Sequence, residues 1–149
     1  MREILFRGKR CDNSEWVQGY YIRAEHHWHN HGIHKDWITL GASANGGWFA
    51  LHNKYAVKSE TVGQFTGLTD KNGKKIFEGD IVRVLGNQQV DDWKNVDYVA
   101  LIAFLDGGFC AIDGTVEEHG FRRYALARMD FSLEIIGNQF DNPELLENP

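Results

Sequence analysis

The sequence predicts a mainly β protein. Long apolar stripes with a 3.6-residue period are scarce, whereas short apolar or alternating runs bounded by Gly, Asn and Asp recur throughout. Sixteen glycines are spread along the chain, and both prolines, Pro143 and Pro149, sit at its end. The expected form is a small barrel or SH3-like unit with an N-terminal β region before it and a short C-terminal helix after it.

The strands are expected in order at Ile4 to Arg7, Trp16 to Arg23, Trp37 to Leu40, Trp48 to Leu51, Gly63 to Thr66, Asp80 to Leu85, Tyr98 to Leu105, Phe109 to Ile112 and Ser132 to Gly137. Val99 to Leu105 is an unbroken apolar run, which points to a central strand buried on both faces. Asp12-Asn13-Ser14 separates the first two strands. Asp70-Lys71-Asn72-Gly73 reads as a type I turn closed by a residue that tolerates positive φ, and Asp106-Gly107-Gly108 as a tight hairpin. Asn142-Pro143-Glu144-Leu145-Leu146-Glu147 has an N-cap, a proline at the first helical position and an acid in the first turn, so a short helix is expected there. Gly114 to Met129 fits either a helical turn around Val116-Glu117-Glu118 or a further strand at Phe121 to Leu126.

The chain has 149 residues, 42% hydrophobic and 25% charged, enough to build a core and too ordinary in composition for wholesale disorder. It reads as one unit over 1–149, with a seam near Lys58 to Val62 that would separate a β region at 1–60 from a barrel-like part at 61–149. Cys11 and Cys110 are far apart and form no CxxC, so two reduced thiols are expected. No apolar segment follows Met1-Arg2-Glu3-Ile4-Leu5-Phe6-Arg7, so neither a signal peptide nor a membrane anchor is expected.

Sixteen Lys and Arg against 21 Asp and Glu leave a net charge of −5, which does not favour a polyanionic partner. If a small barrel did bind a single strand, Lys71, Lys74, Lys75, Arg83, Arg122 and Arg123 would be its candidate contacts. The nineteen aromatics fall mostly within apolar runs, so core packing is expected of them first and a protein–protein surface second.

Chemistry has few places to sit. The segment His26-His27-Trp28-His29-Asn30-His31-Gly32-Ile33-His34 holds five of the seven histidines. On a strand, His27, His29 and His31 would share one face and could hold Zn²⁺ with an open position, with Asp36 as a supporting carboxylate. No HExxH or CxxC spacing accompanies them, so a polar aromatic loop is the plainer reading and no cofactor is expected. Asp70-Lys71-Asn72-Gly73 opens like a calcium loop but lacks its later acids. Asp12 with Glu15, and Glu78 with Asp80, could be carboxylate pairs, yet Glu78-Gly79-Asp80 reads better as a turn into a strand. No GxSxG, P-loop or GxGxxG is present, and Gly41 to Gly47 lacks the Lys-Ser/Thr end of a phosphate loop. No catalytic residue is assigned.

The run from Glu60 to Val82, Glu-Thr-Val-Gly-Gln-Phe-Thr-Gly-Leu-Thr-Asp-Lys-Asn-Gly-Lys-Lys-Ile-Phe-Glu-Gly-Asp-Ile-Val, resembles the signature of the YopX-like family of phage and prophage proteins. The opening Arg2-Glu3-Ile4-Leu5-Phe6-Arg7-Gly8 and the closing Glu134-Ile135-Ile136-Gly137-Asn138-Gln139-Phe140-Asp141-Asn142-Pro143-Glu144-Leu145-Leu146 are similar to that family's ends, while the histidine segment and Gly86 to Asp97 lie outside the resemblance. The resemblance implies a mainly β protein of a bacteriophage or prophage, acting in the cytoplasm of a bacterial host, with no established activity to carry over. Within the signature, Gly67, Gly73 and Gly79 recur every six residues at positions where turns need a permissive backbone. The expected role is non-enzymatic binding or assembly as a homo-oligomer with a protein partner still to be identified; the alternatives are a zinc enzyme built on His27, His29 and His31, or the single-strand binder described above.

Overall fold

The computed structural model describes residues 3–24, 36–45, 48–86, 97–113, 123–126 and 132–147. The chain divides into two compact units, Met1–Phe65 and Thr66–Pro149. It is mainly β, with eleven strands and one short helix among the described residues.

The first unit holds β1 (Phe6–Lys9), β2 (Trp16–Arg23), β3 (Asp36–Asn45), β4 (Trp48–Ala56), a 3₁₀ turn (Ser59–Thr61) and the start of β5 (Gly63–Thr69). The strands pair in the order β4-β3-β2-β1-β5. Its ladders among the described residues are antiparallel, with Phe6 opposite Gly19, Tyr21 opposite Ile38, Ile38 opposite Tyr55, and Phe6 opposite Gln64. Asp12-Asn13-Ser14 makes the expected turn: the Arg10 N–H donates to Glu15 O at 2.9 Å, and Ser14 takes a φ of 62°. Ile38, Val57 and Phe65 are buried, and the Phe6 and Tyr21 rings meet at 5.3 Å between centroids. Gly8 lies so close to Val57 that an added Cβ would sit 3.0 Å from the valine Cβ. A side chain at position 8 would therefore push these strands apart.

In the second unit the end of β5 forms a hairpin with β6 (Lys75–Phe77). Then come β7 (Asp80–Leu85), β8 (Asp97–Leu105), β9 (Gly108–Asp113), β10 (Arg123–Ala125), β11 (Ser132–Asn138) and α1 (Glu144–Glu147). These strands form a five-stranded antiparallel sheet in the order β10-β9-β8-β7-β11. Its core gathers Ile76, Val82, Val84, Ala100, Ile102, Ala111, Leu126 and Leu133. Ladder hydrogen bonds do not close this sheet into a barrel among the described residues.

The turn chemistry matches its residues. The Gly73 N–H donates to Asp70 O at 2.9 Å, and Gly67, Gly73 and Gly79 have φ of 89°, 80° and 84°. Asp106 and Gly107 both take positive φ, which matches the right-handed twist of the β8–β9 hairpin.

Three expectations change. β8 is central, but its burial alternates: Ala100 and Ile102 are fully buried, Leu101 and Ala103 only partly, and Phe104 is exposed. Burial on both faces falls instead at the start of β7, where Asp80, Ile81 and Val82 are all buried, while Arg83 further along is exposed. Hydrophobicity sets what a strand could bury; the covering elements decide what it does bury. The two readings of 114–129 resolve at Arg123–Ala125, which is a strand against β9, while the Val116 segment lies outside the described residues. The C-terminal helix is one turn, and the Asn142 side chain does not cap it: its Oδ1 accepts the Asn138 N–H at 3.4 Å.

Candidate functional site

Side chains alternate along a strand, so residues paired across β1 to β4 can be sorted by face. Lys9 stands opposite Trp16, Arg7 opposite Gln18, Tyr20 opposite Thr39, Ile22 opposite Trp37, and Thr39 opposite Lys54. These residues share one face of the first unit. Phe6, Gly8, Tyr21, Ile38 and Val57 take the other face, where Ile38 and Val57 are buried; Thr39 is buried on the first face.

The shared face is built of rings and cations. The Arg7 guanidinium lies 4.8 Å and the Lys9 ammonium 5.7 Å from the Trp16 centroid, and Lys54 lies 5.7 Å from that of Trp37. Each contact contributes on the order of 0.5–1 kcal/mol at such sites. Tyr20, between the two tryptophans, is 57% exposed. Next to Lys54, His52 Nε2 meets Ser43 Oγ at 2.7 Å. A shallow cleft of about 240 Å³, lined by Cys11, Asp12, Lys54, Tyr55 and Ala56, adjoins the Trp37–Lys54 pair.

The charge on this face has one sign. Strands β1 to β4 contain a single acid, Asp36, and register with Arg23 puts it on the opposite face. The asymmetry extends to the whole unit. The first unit carries 8 Lys and Arg against 6 Asp and Glu, a balance of +2, and the second carries 8 against 15, a balance of −7. The chain total of −5 hides a basic half.

The buried carboxylates brace the scaffold. Asp36 accepts the Tyr21 hydroxyl through Oδ1 and the Ser59 hydroxyl through Oδ2. Burial, reinforced by the hydrogen bond to Asp36 and its charge, pushes the Tyr21 phenol above its ordinary value. Asp80 Oδ2 accepts the Phe77 N–H at 2.8 Å. Asp70 Oδ1 accepts the N–H groups of Asn72 and Lys74 at 2.8 and 2.9 Å, and its Oδ2 accepts that of Ile135 at 3.2 Å. Burial alone would raise the Asp70 carboxyl, but the donors from Lys74, Ile135 and Asn72, with the Lys74 charge, outweigh it and hold the group below the ordinary carboxylate range. Burial pushes the Cys11 thiol up, away from the thiolate form that reacts.

The residues named from sequence fare differently. His27, His29 and His31 lie outside the described residues. Asp36, named as their supporting carboxylate, holds Tyr21 and Ser59. Asp70 to Gly73 is a hairpin turn. Asp12 and Glu15 both face Arg10, at 2.5 and 3.9 Å. Of the candidate nucleic-acid cations, Lys71 pairs with Glu134 at 2.7 Å and Arg83 with Asp97 at 2.6 Å, while Lys74 and Lys75 share the acidic unit. Arg122 lies outside the described residues, and Arg123 belongs to β10. The cations that the sequence reading passed over are Arg7, Lys9 and Lys54. Their signal was alternation: Arg7 and Lys9 are two apart on β1, as Trp16, Gln18 and Tyr20 are on β2.

A family model described as YopX protein matches residues 5–147. The chain is similar in structure to protein EF1440 from Enterococcus faecalis, known from its crystal structure, with a TM-score of 0.53 and 22% identity over 98% of this chain and 99% of that one. At that identity the likeness concerns the fold alone. No curated protein matches the sequence.

Proposed function

The chain belongs to the YopX family, and from that premise we propose that it is a phage- or prophage-encoded, non-enzymatic binding protein that works as a homo-oligomer in the bacterial cytoplasm. The observation that carries this reading is the ring-and-cation face of β1 to β4, where Trp16, Tyr20 and Trp37 alternate with Arg7, Lys9 and Lys54. Aromatic and cationic side chains at strand spacing suit recognition of an extended partner. The best-bonded carboxylates, Asp36 and Asp70, point into their own scaffold, which suits a binding surface better than acid–base chemistry.

In the second unit we infer a barrel-like arrangement. Beyond β11 the turn of the β5–β6 hairpin continues the sheet: the Lys71 N–H donates to Leu133 O at 2.8 Å, and Asp70 accepts the Ile135 N–H. The half-exposed Leu40 and Leu51 on the β3–β4 hairpin, and Phe104 and Leu105 on the β8–β9 hairpin, are apolar surfaces that a further copy would cover.

The test is native mass spectrometry of untagged protein, followed by incubation with defined phosphoester, peptide and nucleotide substrates. A defined multiple of the chain mass without turnover supports the reading. Turnover that a single point variant abolishes contradicts it.

A further inference from the structure

We propose that the ring-and-cation face of the first unit binds single-stranded nucleic acid; the inference rests on the binding role assigned to that face. A single strand presents two recurring features, a line of phosphates and a series of unpaired bases with exposed π faces. Proteins that hold it without reading sequence supply cations along a groove and aromatic rings on which bases stack. Both sets occur here on one sheet face.

Along β2 the same-face positions Trp16, Gln18, Tyr20 and Ile22 are spaced about 6.6 Å apart, twice the rise per residue of a strand. Arg7 and Lys9 flank this row on the β1 side, and Trp37 with Lys54 flank it on the side of β3 and β4. Tyr20, an exposed large hydrophobic residue of the row, stands between them, 57% open to solvent. The cations already sit over tryptophan rings, so their stems are ordered before a ligand arrives.

Charge complementarity selects a polyanion such as this over a basic or neutral partner. Every charged residue that β1 to β4 put on this face is positive, and the unit as a whole is basic while the second unit is strongly acidic. The acidic unit repels polyanions, and this confines binding to the first unit. It also explains why Lys71 and Arg83 are poor contacts: each already faces an acid. Double-stranded nucleic acid fits less well, because its bases are stacked inside and offer Tyr20 nothing to stack on.

The experiment is fluorescence anisotropy of labelled 20-nucleotide oligo-dT and oligo-U, and of a duplex of equal length, against the full chain. Saturable binding of the single strands is expected, tighter than that of the duplex. With about three phosphates neutralised, log K should fall against log salt with a slope of roughly −2. Tyr20→Ala should weaken binding by roughly tenfold or more with an unchanged melting temperature. Lys54→Ala should weaken it and flatten the salt slope. Lys71→Ala in the second unit should leave both unchanged. Absence of saturable binding at low salt, a slope near zero, or equal losses in Tyr20→Ala and Lys71→Ala would each overturn the proposal. If the oligonucleotides fail while native mass spectrometry still gives a defined oligomer without turnover, the nucleic-acid assignment falls and the binding-protein reading stands.

Discussion

The Arg7 guanidinium and the Lys9 ammonium share one ring, lying 4.8 and 5.7 Å from the Trp16 centroid. Two like charges are held beside each other on β1 because the face of an indole is negative and lowers their mutual cost. A double-mutant cycle of Arg7→Gln with Trp16→Leu, read by urea denaturation, should give a coupling of about 0.5–1 kcal/mol. A coupling near zero would mean that the ring does not hold the cation.

Asp70 gathers three N–H groups, from Asn72, Lys74 and Ile135. Asp70→Ala would orphan all three and should cost about 3 kcal/mol or more, seen as a lower urea midpoint. The sign of the pH effect follows from the lowered carboxyl. Its stabilisation is fully present above the unfolded value of about 3.9 and is lost as pH falls through the lower folded value. Acid titration of stability should therefore be shallower for Asp70→Asn than for the wild type.

At the other end of the pH scale stands Tyr21, whose hydroxyl donates to Asp36. Because its phenol is raised, the stabilisation it adds is complete below the unfolded value of about 10 and is lost as pH rises through the folded one. Tyr21→Phe removes a donor from a buried carboxylate and should cost about 1–3 kcal/mol at neutral pH. The variant should also lose less stability than the wild type between pH 9 and 12, as followed by thermal melts.

Three glycines separate backbone strain from crowding. At Gly73 φ is +80° and an added Cβ meets nothing within 4 Å, so Gly73→Ala should cost only the left-handed backbone term of about 1–2 kcal/mol. At Gly79 φ is +84° and the Cβ would also press on Gln139 and Phe140 at 3.1 and 3.3 Å. At Gly137, beside the irregularity in the β7–β11 ladder, the Cβ would stand 2.6 Å from Asn142 Oδ1. Melting temperatures should fall more for Gly79→Ala and Gly137→Ala than for Gly73→Ala.

Much of the fold is written locally. β2 and β7 have the bounds that their apolar and turn residues imply, and Gly67, Gly73 and Gly79 all take the positive φ expected from their turn positions. β6 went unseen because Lys75-Ile76-Phe77 is too short to show alternation, and its strand character comes from pairing. β3 and β4 run well past their apolar starts, through Gly41 to Asn45 and His52 to Ala56, since each extends the other. The binding face was hidden for a related reason. Its rings and cations come from four strands, and only register brings Lys9 opposite Trp16 and Thr39 opposite Lys54. Net charge misled as well, by averaging a basic unit with an acidic one.

The most direct measurement is photochemical cross-linking of the full chain to a 5-iodouracil-substituted single strand, with the modified peptides identified by mass spectrometry. Adducts at Trp16, Tyr20 or Trp37 are the predicted result, since these rings line the face on which bases would stack. Adducts confined to the second unit, around Lys71 to Lys75 or Arg83, would contradict it.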